Sequence, residues 1–228
     1  MQYMFKGVII GFLLFTINPL LAQDLKENLA NQMCSCFEEE GAKSFAELDP
    51  CILRVLDANE SSILEYYKAE SVAEVNVEEM MMEVGAVITL NCEYIIPYLE
   101  DPESIPTEAD VQVDDLDCSD LYEGNYYYVQ SVELDTHQKI SDTTRVTFSK
   151  DAYVEYLSNG RYSKLGIEWT DPCSFTLTFK ESNDPFKRTL SKEGDIYTYQ
   201  VINSDEQSFT LITEYRGRRY KFNLIKEE

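Results

Sequence analysis

The chain has 228 residues, with 42 Asp and Glu against 19 Lys and Arg, a formal net charge of −23, six cysteines and a single histidine. A surface this acidic repels phosphate backbones and anionic lipid headgroups, because binding either requires compensating cations, so nucleic acid is not an expected partner. One histidine also removes the histidine-based metal motifs, and the chain has neither a phosphate-cradling glycine loop nor a dinucleotide fingerprint.

Residues 1–22 read as an export signal. Lys6 supplies the positive charge, Gly7 to Leu21 an apolar run, and Leu20-Leu21-Ala22 a cleavage site that leaves Gln23 as the first mature residue. The run is broken by Thr16, Asn18 and Pro19 and falls short of the roughly 20 residues of a membrane helix. No later stretch is apolar enough to cross a bilayer, so no membrane span is expected once the signal is removed. The expected location is the periplasm or the extracellular space. There Cys34, Cys36, Cys51, Cys92, Cys118 and Cys173 are expected to form structural disulfides rather than a metal site or a redox pair.

Charge divides what remains. Residues 23–117 hold 24 Asp and Glu against 4 Lys and Arg, a net of −20, whereas residues 118–228 hold 18 against 14, a net of −4. Residues 23–97 form a helical, cysteine-containing domain. Leu25, Leu29, Met33, Cys36 and Phe37 recur at helical intervals, and Ser44-Phe45-Ala46-Glu47 has the spacing of a capping box. Asp49-Pro50 suits an N-cap and first helical position, with Ile52, Val55 and Leu56 continuing towards Ile63-Leu64. Asn76-Val77-Glu78-Glu79 caps a last helix whose Met81, Gly85, Ile88, Cys92 and Ile95 share a face up to Pro97. Cysteines two apart on a helix point about 200° away from one another, so Cys34 and Cys36 reach different partners, Cys51 and Cys92 in either assignment.

Asn31-Gln32-Met33-Cys34-Ser35-Cys36, Asp49-Pro50-Cys51 and the segment from Gly85 to Cys92 resemble the helical N-terminal regions of uncharacterised exported proteins of Bacteroidota. The resemblance implies an address and a cysteine framework, but no reaction.

Residues 98–117 form an acidic linker with two prolines, eight acids and no base. Its Asp110, Asp114, Asp115 and Asp117 lack the alternation and central glycine of an EF-hand loop.

From Cys118 the apolar period becomes twofold. Strands are predicted at Tyr126–Glu133, Thr143–Ser149, Ala152–Ser158, Tyr162–Thr170, Ser174–Lys180, Ile196–Asn203, Ser208–Tyr215 and Arg219–Ile225. Eight antiparallel strands with short turns favour an up-and-down barrel, with a two-sheet sandwich as the alternative, and a Cys118–Cys173 bridge would close the meander. Cys118 followed by Gly124-Asn125-Tyr126-Tyr127-Tyr128, and Ile167-Glu168-Trp169 followed by Cys173-Ser174-Phe175-Thr176-Leu177, resemble the lipocalin-like β-domains of small exported bacterial proteins, with tyrosine where lipocalins carry tryptophan.

No catalytic residues are identified. His137 lies in a loop with no glycine-serine-glycine elbow to partner it, and Glu155 and Glu168 read as solvated outer-face positions. Arg216, Arg218 and Arg219 form a compact basic group at a strand turn. Tyr126, Tyr128, Tyr156, Trp169, Tyr199 and Tyr220 are the candidate ligand-binding residues, since apolar rings with polar tips suit a pocket for a partly apolar small molecule. The expected function is a noncatalytic exported protein, without cofactor or metal, that binds a small hydrophobic or amphipathic ligand in the β-domain. The alternative is an interaction module for another envelope protein, and the third reading an enzyme with its site in the barrel.

Overall fold

A computed structural model describes residues 20–99, 106–107, 116–135, 138–157, 160–215 and 217–227. Most of the signal segment, most of the acidic linker, His137 and Arg216 lie outside the described residues. The chain folds as helices followed by a closed barrel of eight antiparallel strands.

The helical region comprises α1 (Leu20–Glu40), α2 (Phe45–Ala58), α3 (Glu60–Tyr67), α4 (Val77–Asn91) and the short α5 (Ile96–Leu99). On α1 the predicted stripe Leu25, Leu29, Met33, Cys36 and Phe37 is buried, because residues four and three apart return to one face of a 3.6-residue helix. The helix stops at Gly41, whose positive φ of 69° only glycine adopts cheaply, and the Ala42 N–H closes the end on the Phe37 carbonyl at 2.9 Å.

Several helical boundaries differ from the sequence expectation. Helix α2 starts at Phe45, so Pro50 lies inside it rather than opening it. The expected Ser44 box is not made: Glu47 accepts instead from the N–H of Lys43, one residue before the cap, at 2.6 Å, and the Ser44 hydroxyl caps nothing. Asn59 divides α2 from α3, its side chain donating to the Val55 carbonyl at 2.8 Å and to Gln32 at 2.9 Å. The Asn76 cap of α4 is present, its Oδ1 accepting from the Glu79 N–H at 3.2 Å. Helix α4 ends at Asn91, short of Pro97; of the predicted face Ile88, Cys92 and Ile95 are buried and Met81 is partly buried against the core, and Met80, Val84 and Val87 widen the buried face beside them.

The open cysteine assignment resolves as Cys34–Cys92 and Cys36–Cys51, tying α1 to the end of α4 and to α2. These bridges supplement a helical core of fewer than 80 residues, a size at which apolar burial alone is marginal.

The barrel strands are β1 (Gly124–Asp135), β2 (Gln138–Ser149), β3 (Ala152–Tyr156), β4 (Tyr162–Asp171), β5 (Ser174–Ser182), β6 (Ile196–Ser204), β7 (Ser208–Tyr215) and β8 (Arg218–Lys226). Each pairs with the next, and β8 returns to β1 through Tyr126↔Lys226 and Tyr127↔Ile225. Closure removes sheet edges, which decides the architecture for a barrel over a sandwich and gives the expected lipocalin-like form. Cys118–Cys173 is formed, as predicted.

One element was not anticipated. Between β5 and β6 the chain makes α6 (Pro185–Leu190), capped by Asp184, whose Oδ1 accepts from the Lys187 N–H at 2.9 Å, with Pro185 at the first helical position. Helix α6 packs against α4. Arg161 in the β3–β4 turn meets Glu78 of α4 at 3.0 Å and Asp184 at 3.7 Å, and Arg188 of α6 meets Glu79 at 3.2 Å.

Candidate functional site in the barrel interior

The two ends of the barrel differ chemically. At the end where β1, β5 and β7 begin, inward side chains are large and apolar. Phe148, Phe175, Phe209 and Leu224 are fully buried, and a short 3-10 turn over Ser119–Tyr122 inserts the fully buried Leu121. The rings form a continuous layer of edge contacts, Phe148 with Phe175 at 5.8 Å and Tyr126 with Phe148 at 5.6 Å and with Phe209 at 5.9 Å, joined by a tilted contact of Trp169 with Phe175 at 4.8 Å. The Tyr126 hydroxyl donates to the Asp120 carbonyl at 2.7 Å, tying the turn to β1. Burial, helped by the Asp120 charge, pushes the Tyr126 phenol up to about 12.

The other end is polar inside. Glu155 on β3 is buried at 8% exposure, opposite Val146 in the β2–β3 ladder. Residues directly opposite share a face, so Tyr153 and Glu155 point inward with Val146 and Phe148, and Tyr156 points out, half exposed. The expectation that Glu155 is solvated is thereby corrected; Glu168 is exposed, as expected.

Glu155 gathers three donors. Its Oε1 accepts from the Tyr128 hydroxyl at 3.1 Å and the Tyr153 hydroxyl at 3.3 Å, and its Oε2 meets Lys187 Nζ at 2.9 Å. Lys187 descends from α6, so the helix places a cation over the carboxylate. Burial, the largest influence, pulls the Lys187 ammonium down, but the Glu155 charge and hydrogen bond together with the neighbouring Tyr128 and Tyr199 phenols raise it above the ordinary lysine range. Burial first, and the Glu155 charge second, drive Tyr128, Tyr153 and Tyr199 well above the usual phenol value, so all three stay neutral donors.

Around this pair Thr144, buried at 1%, hydrogen-bonds the Tyr128 hydroxyl from the neighbouring strand. The Tyr128 ring meets Phe222 at 5.8 Å, and Tyr199 meets Phe222 at 6.1 Å and stacks on Phe175 at 5.2 Å, joining the polar end to the apolar layer. Thr213 faces Tyr199 across the β6–β7 ladder and its hydroxyl interacts with the Tyr199 phenol, but its buried Oγ1 has no hydrogen-bond partner of good geometry among the described residues. The Tyr197 hydroxyl donates to Ser191 at 2.6 Å, just beyond α6.

The six candidate residues thus separate. Tyr128 and Tyr199 belong to the charged cluster, Tyr126 and Trp169 to the packed aromatic layer, and Tyr156 to the outer surface. Tyr220 is partly buried on β8, opposite Thr213. Glu155, Tyr153, Thr213 and Lys187 were missed. The Asp184-Pro185 pair was the available signal for the helix that delivers Lys187.

Outside the interior, a recess of about 530 Å³ lies on the outer face of β1 and β2 between Tyr127, Thr143, Arg145 and Glu227, and another of about 410 Å³ lies on the helices beside Gln32, Glu39 and Arg54. Among the described residues no three His, Cys, Asp or Glu side chains converge as a metal site, and no helix is long and apolar enough to cross a membrane. No protein-family model matches the chain, and a search of curated proteins returns no match.

Proposed function

We propose that this is an exported, noncatalytic binding protein whose barrel takes a small amphipathic ligand at its charged end. The observation that carries this reading is the Glu155–Lys187 pair, with its tyrosine hydroxyls, inside a barrel whose other end is packed with aromatic rings. Desolvating two charges costs several kcal/mol per ion, and apolar residues of similar volume commonly serve stability as well or better. A charged cluster at one end of an otherwise apolar interior is therefore better explained by recognition than by folding. Three disulfides using all six cysteines support an oxidising compartment, the periplasm or the extracellular space.

Native mass spectrometry of protein recovered under mild conditions from its exporting host tests this. A small organic adduct on the wild-type chain, lost from the Glu155→Gln/Lys187→Met double variant, is expected. Bare polypeptide mass for both would refute the reading.

The net charge of −20 over residues 23–117 favours a second reading, in which the helices engage a cationic envelope protein. Crosslinking in intact envelopes that recovers no specific partner would count against it.

A further inference from the structure

We propose that α6 is a gate over the charged end of the barrel and that Glu78 and Glu79 of α4 latch it to the helical region; this rests on the binding reading above and names how access to that site is controlled.

The gate is read from how the β5–β6 connection is held. Two backbone bonds pin its ends to the sheet: the Asn183 N–H donates to the Tyr162 carbonyl at 3.2 Å, and the Gly194 N–H to the Phe179 carbonyl at 2.9 Å. Between these anchors, among the described residues, the backbone of residues 184–193 bonds only within residues 182–195. Phe186 and Leu190 of α6 are partly exposed and belong to neither hydrophobic core. A segment with few backbone bonds to its surroundings and little apolar burial opens at a lower free energy than the strands beside it.

The side-chain ties that hold α6 shut face two ways. Inward, Lys187 meets the buried Glu155 at 2.9 Å, and the Ser191 hydroxyl accepts from Tyr197 at 2.6 Å. Outward, α6 packs on α4 more extensively than on any strand. Arg188 meets Glu79 at 3.2 Å, and Arg161 meets Glu78 at 3.0 Å and the α6 cap Asp184 at 3.7 Å, joining the two helices through the β3–β4 turn. Helix α4 is in turn fixed to α1 by Cys34–Cys92, so the latch belongs to the helical region. Because Lys187 is carried on α6, withdrawal of the helix takes the ammonium out of the barrel and uncovers Glu155.

Salt separates the two sets of ties. Glu78, Glu79 and Arg188 keep 69%, 42% and 46% of their side-chain surface, so dissolved ions screen their pairs, whereas Glu155 is largely shielded. Raising the ionic strength therefore releases the latch before it weakens the inner pair.

The test needs no ligand. Amide hydrogen exchange on the whole protein reads opening at Lys187, Arg188 and Ser191, whose N–H groups are all hydrogen-bonded. Acetylation of Lys187 by an N-hydroxysuccinimide ester, measured by peptide mass mapping against the exposed Lys192, reads whether opening uncovers the barrel. In Glu78→Gln/Glu79→Gln, where glutamine can still accept from Asn76, both rates should rise roughly three- to tenfold at low salt. Wild type should rise similarly in about 1 M sodium chloride, where the screening length is about 3 Å. Arg188→Gln should accelerate both rates alone and add little to the double variant, since residues of one ion-pair network are not additive. Amides of Leu177 and Leu211, inside the strands, should keep their rates. Unchanged α6 exchange in the double variant overturns the latch. Faster α6 amides with unchanged Lys187 acetylation mean that the helix frays without uncovering the barrel, and strand amides accelerating equally mean general destabilisation; either overturns the gate. All three failures leave the binding reading to the adduct measurement.

Discussion

Replacing Lys187 with methionine keeps most of the side chain's volume while removing the charge that neutralises Glu155. Breaking a buried ion pair by deleting one partner typically costs 3–5 kcal/mol, roughly, because the surviving charge is left desolvated. Here the pair is not wholly dry, with side-chain exposures of 27% and 11%, so about 2–4 kcal/mol is the appropriate range. Two tyrosine hydroxyls would remain on Glu155 and soften the loss. Urea unfolding followed by circular dichroism reads the effect. With a slope of about 2 kcal/mol per molar, the midpoint of the barrel transition should fall by roughly 1–2 M. The Glu155→Gln/Lys187→Met double variant should recover most of that, since no lone charge is left. Arg188→Ala, which removes a half-exposed pair with Glu79, should cost only about 0.5 kcal/mol. A Lys187→Met chain as stable as wild type, or a double variant less stable than the single, would refute the argument that the pair lies desolvated inside the barrel.

Other outcomes follow from the same geometry. Tyr126, Tyr128, Tyr153 and Tyr199 have folded-state pKa values above the unfolded value of 10.0, and Lys187 above 10.5, so each stabilises the fold fully below about pH 10. Their contribution is lost as pH rises from about 10 through the folded values, near 12 for Tyr126, because there the unfolded chain has already released protons that the folded chain retains. Tyrosinate absorbance should therefore appear in two phases, the later one coinciding with unfolding; one phase complete before unfolding would contradict the burial of these phenols. Cys118→Ser/Cys173→Ser opens a loop of 55 residues and should cost about 4 kcal/mol by chain entropy, read as a lower barrel melting temperature with the helical signal retained. An unchanged melting temperature would mean that the bridge constrains nothing. Asn76→Ala should cost about 1 kcal/mol of helical-region stability by uncapping α4, and Asn76→Asp should restore it.

How much of this was legible in the sequence varies with the range of the interactions involved. Strand β7 was located at both ends, because alternation and flanking turn residues are local signals and a barrel strand buries every second residue. The third bridge was legible for a similar reason, its cysteines flanking the run of strands that it closes. The phase of β3 was not. In Tyr153-Val154-Glu155-Tyr156 both alternations contain an apolar or aromatic residue, so the segment alone does not say which face is inside; the register with β2 decides it. Lys187 was hidden because its role depends on a six-residue helix in the connection between β5 and β6, where no element was predicted. Pairing of Cys34 and Cys36 was undecidable for the same kind of reason, since it depends on how α2 and α4 pack on α1.

The most direct test of the central claim is an NMR observation of the Lys187 ammonium in the isotopically labelled protein, assigned by its loss in Lys187→Arg. The account predicts a resolved signal protected from solvent exchange at neutral pH, with a cross-peak to a tyrosine ring proton. An ammonium exchanging as fast as surface lysines would contradict it.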